Sequence, residues 1–171
     1  MPDLHFRPRL MKKKLSHIDE KGNPMMVDVS AKASTRRVAK ARAIMNLGPA
    51  VMAAVRDEEL ITRKGPVFQT ARLAGVMGAK RTADLIPLTH PIGLEDCQVT
   101  IRAVGDRVHI ESAVVTTGKT GVEMEALTAV SVAALTIYDM CKALSQEMVV
   151  EEVRLLEKTG GKKDYRLSRK G

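Results

Sequence analysis

Between Ala126 and Tyr138 only Thr128, Ser131 and Thr136 interrupt a run of small and aliphatic side chains. A segment apolar on nearly every side predicts a helix buried on nearly every side, since no face of it gains from water. The helix falls within 118–144, and its ends are chemically dense. Lys119, Glu123 and Glu125 stand at its start, and Asp139, Cys141 and Lys142 at its close. A bilayer span needs ~20 consecutive apolar residues, a length that the carboxylates at the two ends argue against.

The rest of the chain supplies partners for this helix. Cys97, Val99, Ile101 and Ala103 alternate with Gln98, Thr100 and Arg102, the period of a half-buried strand. Gly105-Asp106 turns the chain, and Val108, Ile110, Ser112 and Val114 answer as the paired strand. Residues 32–44 read as a strand with a small-residue face of Ala39, Ala41 and Ala43, although their Ala and Lys content leaves a helix open. Gly48-Pro49 opens a short helix to about Glu59. Gly65-Pro66 puts a proline at the first position of a longer helix to about Asp84, with Val67, Leu73, Val76 and Met77 facing inward. Pro87 and Pro91 stiffen the loop that holds Leu88, Thr89 and His90, and His90 is biased to an extended backbone by the proline after it. Residues 148–158 form a last strand. With the short helix set aside the order is βαββαβ, an α+β ferredoxin-like plait of two helices on one antiparallel sheet.

Residues 1–24 read as a flexible basic arm ending at Gly22-Asn23-Pro24, residues 25–162 as one catalytic domain, and 163–171 as a basic tail. Charge supports that division. Of the net +8, residues 1–14 hold five Lys or Arg against Asp3 and residues 158–171 hold six against Asp164, so the body between them is close to neutral. Phe6, Phe68, Tyr138 and Tyr165 are the only aromatic residues. A body with neither a basic face nor stacking platforms argues against a nucleic-acid partner. Cys97 and Cys141 lack the spacing of a zinc or disulfide framework, and the N-terminal residues lack a secretory pattern, so the cytoplasm is the expected compartment.

Candidate chemistry gathers around the helices. Gly118-Lys119-Thr120 suggests a phosphate loop, but that motif needs a Gly at position 113, where Ala stands. Lys119 near a helix start remains a candidate anion contact, with a plain glycine turn as the alternative. Asp139 and Lys142, three apart, share a helix face. Glu123 and Glu125 suit a helix N-terminus as capping groups. Lys64, just before a helix start, would have its ammonium disfavoured and its amine available as a base. Lys32, Arg36, Arg37 and Arg72 are candidate phosphate ligands or solvated charges.

Together the segments MVDVSAKA (26–33), FQTARLAGVMGAKRTADLIPLTHP (68–91), TGKTGVEMEALTAVSVAALTIYDMCKA (117–143) and VRLLEKTGGK (153–162) closely resemble the cyclic pyranopterin monophosphate synthase (MoaC) family. The resemblance covers roughly residues 15–162. It implies conversion of 3′,8-cyclo-7,8-dihydroguanosine 5′-triphosphate to cyclic pyranopterin monophosphate with release of pyrophosphate, in molybdenum-cofactor biosynthesis. It places Asp139 at an active-site aspartate and Lys64 and Lys142 at catalytic lysines. Leu88, Thr89, His90, Glu123, Met124 and Glu125 fall on substrate-binding segments, and Lys32, Lys119 and Lys162 on basic positions suited to the triphosphate. Thr89 stands where many members have Cys, keeping a donor and an acceptor and losing the thiol. The family also implies a homohexamer built as a trimer of dimers with sites at the dimer interface. It implies neither a resident metal nor another cofactor, while a triphosphate is compatible with accompanying Mg²⁺; the partners are the nucleotide and further copies of the chain, not a membrane. A non-catalytic RNA-binding plait would need aromatic residues on its sheet, and a metal-dependent phosphohydrolase a cluster of metal ligands; the sequence shows neither.

Overall fold

The computed structural model describes residues 21–168. Most of the proposed basic arm, and residues 169–171 of the tail, lie outside that range. In chain order the elements are β1 (Thr35–Asn46), α1 (Gly48–Met52), β2 (Ile61–Thr62), β3 (Gly65–Pro66), α2 (Val67–Lys80), α3 (Thr82–Leu85), β4 (Asp96–Val104), β5 (Arg107–Gly118), α4 (Glu123–Cys141), β6 (Val149–Thr159) and β7 (Tyr165–Arg166). Five strands pair antiparallel in the order β4-β5-β1-β6-β7. Without the two-residue β7 this is the βαββαβ plait, with α2 and α4 on one face. In the tail region, β7 is held against Glu157 and Lys158 of β6.

Alternation along the central strand sets the core. Ala39, Ala41, Ala43 and Met45 of β1 are completely buried, and their small size lets α4 lie close across the sheet. Val108, Ile110 and Val114 of β5 and Val99 and Ile101 of β4 extend the same surface. Ser112 sits within it, its hydroxyl donating to the Ala126 carbonyl at 2.8 Å, so this buried hydroxyl has a partner. On length and composition alone α4 is apolar enough to cross a membrane, so its carboxylates do not settle that point. Packing gives it its place, with Ala126, Ala129, Val130, Ala133 and Ile137 in the core.

α2 departs from expectation in three ways. Pro66 is its N-cap in an extended conformation rather than its first helical residue. The helix ends at Lys80, followed by the separate turn α3. Its buried face is Val67, Phe68, Ala71, Gly75, Gly78 and Ala79, while Leu73 (64% exposed) and Met77 (56%) point outward. The reason is the helix partner. A Cβ on Gly75 would lie 2.9 Å from the Ala129 carbonyl oxygen, and one on Gly78 2.7 Å from Val132 Cγ2. α2 and α4 therefore meet through glycine, and larger residues are turned away from the contact. Gly75→Ala is expected to destabilise the fold by ~1–3 kcal/mol through overpacking against backbone, as read by urea unfolding. The short helix after Gly48-Pro49 ends at Met52 rather than near Glu59, and residues 25–29 form no regular element.

Candidate active site

Register assigns the site residues to opposite ends of α4. At its N-terminal end, Thr35 of β1 pairs with Gly118 of β5, and the Thr35 hydroxyl donates to the Gly160 carbonyl at 2.7 Å. Lys162 follows two residues later, and Lys119, at the start of the β5–α4 connection, donates its ammonium to the Ser30 carbonyl at 2.6 Å. That bond ties the turn bearing Lys32 to the same end. The loop of Leu88, Thr89 and His90 is fastened nearby, since Thr116 donates its hydroxyl to the Gly93 carbonyl at 2.6 Å and the Glu95 amide donates to Val115 at 2.9 Å. Thr89 turns its own hydroxyl inward, donating to the Ile86 carbonyl at 2.8 Å. The result is a shallow cleft of about 380 Å³ lined by Met26, Val27, Asp28, Val29, Ser30, His90 and Lys119.

Glu123, Met124 and Glu125 open the helix at this end. Glu123 accepts from the Lys158 ammonium at 2.7 Å. Glu125 is 4% exposed, and burial raises its carboxyl above the usual range, with the Glu123 charge adding to the effect. A carboxyl that holds its proton more readily than normal is better suited to donate one than an ordinary glutamate. The sign of the linkage follows from the raised value. The folded state holds the proton to higher pH than the unfolded chain does, so stability falls as pH rises past the ordinary carboxyl range. Glu125→Gln is expected to flatten that fall, giving the variant its best relative stability at pH 7 and losing the advantage below pH 4; denaturant midpoints against pH would show it.

The other end of α4 carries a tighter cluster. Asp139 Oδ2 accepts from Lys64 Nζ at 2.7 Å, Asp139 Oδ1 from Lys142 Nζ at 2.8 Å, and the Asp139 carbonyl accepts from Lys64 at 3.0 Å. Hydrogen bonds from Lys142 and Lys64 hold the Asp139 carboxyl down at about 2, and Asp139 in return raises Lys142 above its usual range. Two ammonium groups on one carboxylate leave the cluster net positive and accessible, with side chains half exposed. Cys141 beside it is buried, which pushes its thiol up to about 11 and makes it a poor nucleophile.

Lys64 is thus placed differently from the sequence expectation. It does not face the start of α2; that position belongs to Glu59, whose carboxylate accepts from the Phe68 and Gln69 amides at 2.7 and 3.0 Å. Lys64 instead reaches the last turn of α4. Two other cations have structural duties: Arg37 binds the Gly118 and Lys119 carbonyls, and Arg72 the Ile101 carbonyl. Lys158, Ser30 and Glu59 escaped the sequence reading. Nothing local in the sequence marked any of the three. Among the described residues no group of three or more His, Cys, Asp or Glu is arranged to hold a metal.

Comparison with known proteins shows the family. The MoaC family model matches residues 26–161, which include the cleft, both ends of α4 and the whole four-stranded plait. The chain belongs to the MoaC family. A Heliobacterium modesticaldum protein named cyclic pyranopterin monophosphate synthase is 58% identical over 153 residues, spanning 88% of this chain and 95% of that one. A Drosophila melanogaster protein named molybdenum cofactor biosynthesis protein 1 is 50% identical over 153 residues, and the match spans 88% of this chain and 27% of that longer protein. This MoaC member is an enzyme, a lyase of molybdenum-cofactor biosynthesis.

Proposed function

We propose that the chain converts 3′,8-cyclo-7,8-dihydroguanosine 5′-triphosphate to cyclic pyranopterin monophosphate and pyrophosphate. The observation that carries this reading is the division of α4: cations, His90 and a raised carboxyl at one end, and the Lys64–Asp139–Lys142 cluster at the other. Lys32, Lys119 and Lys162 supply charge for the triphosphate, and His90 with Glu125 faces the base. Lys142, held in place by Asp139, donates a proton as the purine-derived ring opens and the pterin closes. Every step moves protons or phosphoryl groups and none moves electrons, so the scheme needs no redox cofactor.

One chain cannot offer both ends to one substrate. Glu125 and Lys142 are separated by ~25 Å along the helix axis, further than a nucleotide comfortably spans. We infer a homo-oligomer, a hexamer made as a trimer of dimers, in which a two-fold axis brings the start of one α4 to the end of its partner. Leu73, Met77 and Leu135 give the helical face an exposed apolar surface suited to such contact. The free thiols of Cys97 and Cys141 fit a reducing cytoplasm. Incubating the purified protein with the cyclic dihydroguanosine triphosphate tests the reaction. Stoichiometric pyrophosphate and cyclic pyranopterin monophosphate are expected; intact substrate after long incubation with the folded oligomer would refute it.

A further inference from the structure

Lys64 lies at the tip of a short hairpin, where the Thr62 hydroxyl accepts from the Lys64 amide at 3.2 Å and donates to the Gly65 carbonyl at 3.4 Å. β2 and β3 contribute only the pairs Ile61↔Pro66 and Thr62↔Gly65, and a ladder that short is not stable by itself. The Lys64 side chain is half exposed, so packing does not fix it either. What does fix the hairpin is its base. The Glu59 carboxylate accepts from the Leu60 amide at 2.8 Å, from Phe68 at 2.7 Å and from Gln69 at 3.0 Å, and the Val67 amide donates to the Leu60 carbonyl at 2.8 Å. Three of the four unpaired amides that begin α2 are thereby bound to the two residues that begin the hairpin. Glu59 is itself aimed by a tight turn. Its backbone exchanges two 2.8 Å hydrogen bonds with Arg56 across Asp57 and Glu58, which take left-handed φ values of 49° and 58°.

We propose that Glu59 is a positioning residue for Lys64: by clamping both ends of the hairpin to the start of α2, it sets the point from which the Lys64 ammonium reaches Asp139. The clamp joins a helix that packs on α4 to a cation that must meet the end of α4, so one carboxylate determines the distance between them. The inference rests on Lys64 acting in the lyase reaction.

The test compares Glu59→Ala, Glu59→Gln, Lys64→Ala and the Glu59→Ala/Lys64→Ala double variant, with pyrophosphate release from the cyclic triphosphate as readout. Glu59→Ala is expected to lower kcat about tenfold with KM changed less than about twofold, the pattern of a misplaced catalytic group. Glu59→Gln keeps an acceptor for Phe68 and Leu60 and should recover most of that loss. In the Lys64→Ala background, removing Glu59 should change nothing further, because the residue it positions is gone. Wild-type kcat in Glu59→Ala beside an inactive Lys64→Ala would overturn the proposal, as would an equal loss with and without Lys64. Wild-type turnover in Lys64→Ala would instead overturn the role of Lys64, and this proposal with it. If Glu59→Ala does not fold, Glu59→Asp carries the test; it keeps the charge, loses the reach and should show a severalfold fall in kcat, with unchanged kcat refuting the clamp.

Discussion

Asp139→Asn should lower turnover by about 10²–10⁴-fold, the range for loss of a group that sets proton transfer, while leaving the fold intact. Asp139 is 56% exposed, so its replacement opens no cavity and its pairs contribute little to stability. Its importance is chemical. One carboxylate orients two ammonium groups and raises Lys142 above its usual range. An amide keeps the shape but loses the charge that holds both ammonium groups, so both lose alignment together and the loss should fall on kcat more than on KM. A pH effect accompanies this. The Asp139 carboxyl titrates at about 2 in the folded chain against an ordinary 3.8, so its pairing stabilises the fold above the ordinary value and is lost as pH falls through about 2. Wild type and Asp139→Asn should therefore converge in stability in strong acid and differ only slightly above pH 4, as expected for exposed pairs. Near-wild-type kcat in the folded variant would remove Asp139 from the mechanism.

The plait was legible because its sheet is covered on one face only, which prints a period of two onto β1, β4 and β5. α4 was legible for the opposite reason: with sheet beneath it and α2 beside it, most of its surface needs apolar residues. Leu135, 65% exposed, is the exception. The same logic misled at α2. Leu73 and Met77 were read as inward because they are large and apolar, whereas the helix contact is made through Gly75 and Gly78. Hydrophobicity says that a residue seeks cover without saying whether that cover lies in its own chain. Candidate residues within continuous motifs, such as Glu123 to Glu125, could be named and placed from sequence. For residues on loops, such as Lys64, the sequence named the candidate but not its partner. Lys64 was assigned to the nearest helix start because local sequence offers that neighbour, while its partner lies 75 positions away. The Glu59 cap reaches forward nine and ten residues from a turn whose left-handed Asp57 and Glu58 carry no glycine to announce it.

We propose that the two ends of α4 form one site only between chains. Glu125→Ala removes the raised carboxyl from one end, and Lys142→Ala removes the charged amine from the other. Each variant alone should be inactive, since every composite site lacks one of the two groups. In a mixed dimer the defects sort differently. One site inherits both substitutions and the other inherits neither, because Glu125 and Lys142 of a single site come from different chains. Random co-assembly makes half the dimers mixed, and half of their sites intact, so about a quarter of wild-type activity should return. The decisive measurement is pyrophosphate release from differently tagged Glu125→Ala and Lys142→Ala chains, unfolded, co-refolded and isolated as mixed oligomers through both tags. Recovered turnover approaching that fraction is the predicted result; verified mixed oligomers as inactive as either parent would contradict a site shared between chains.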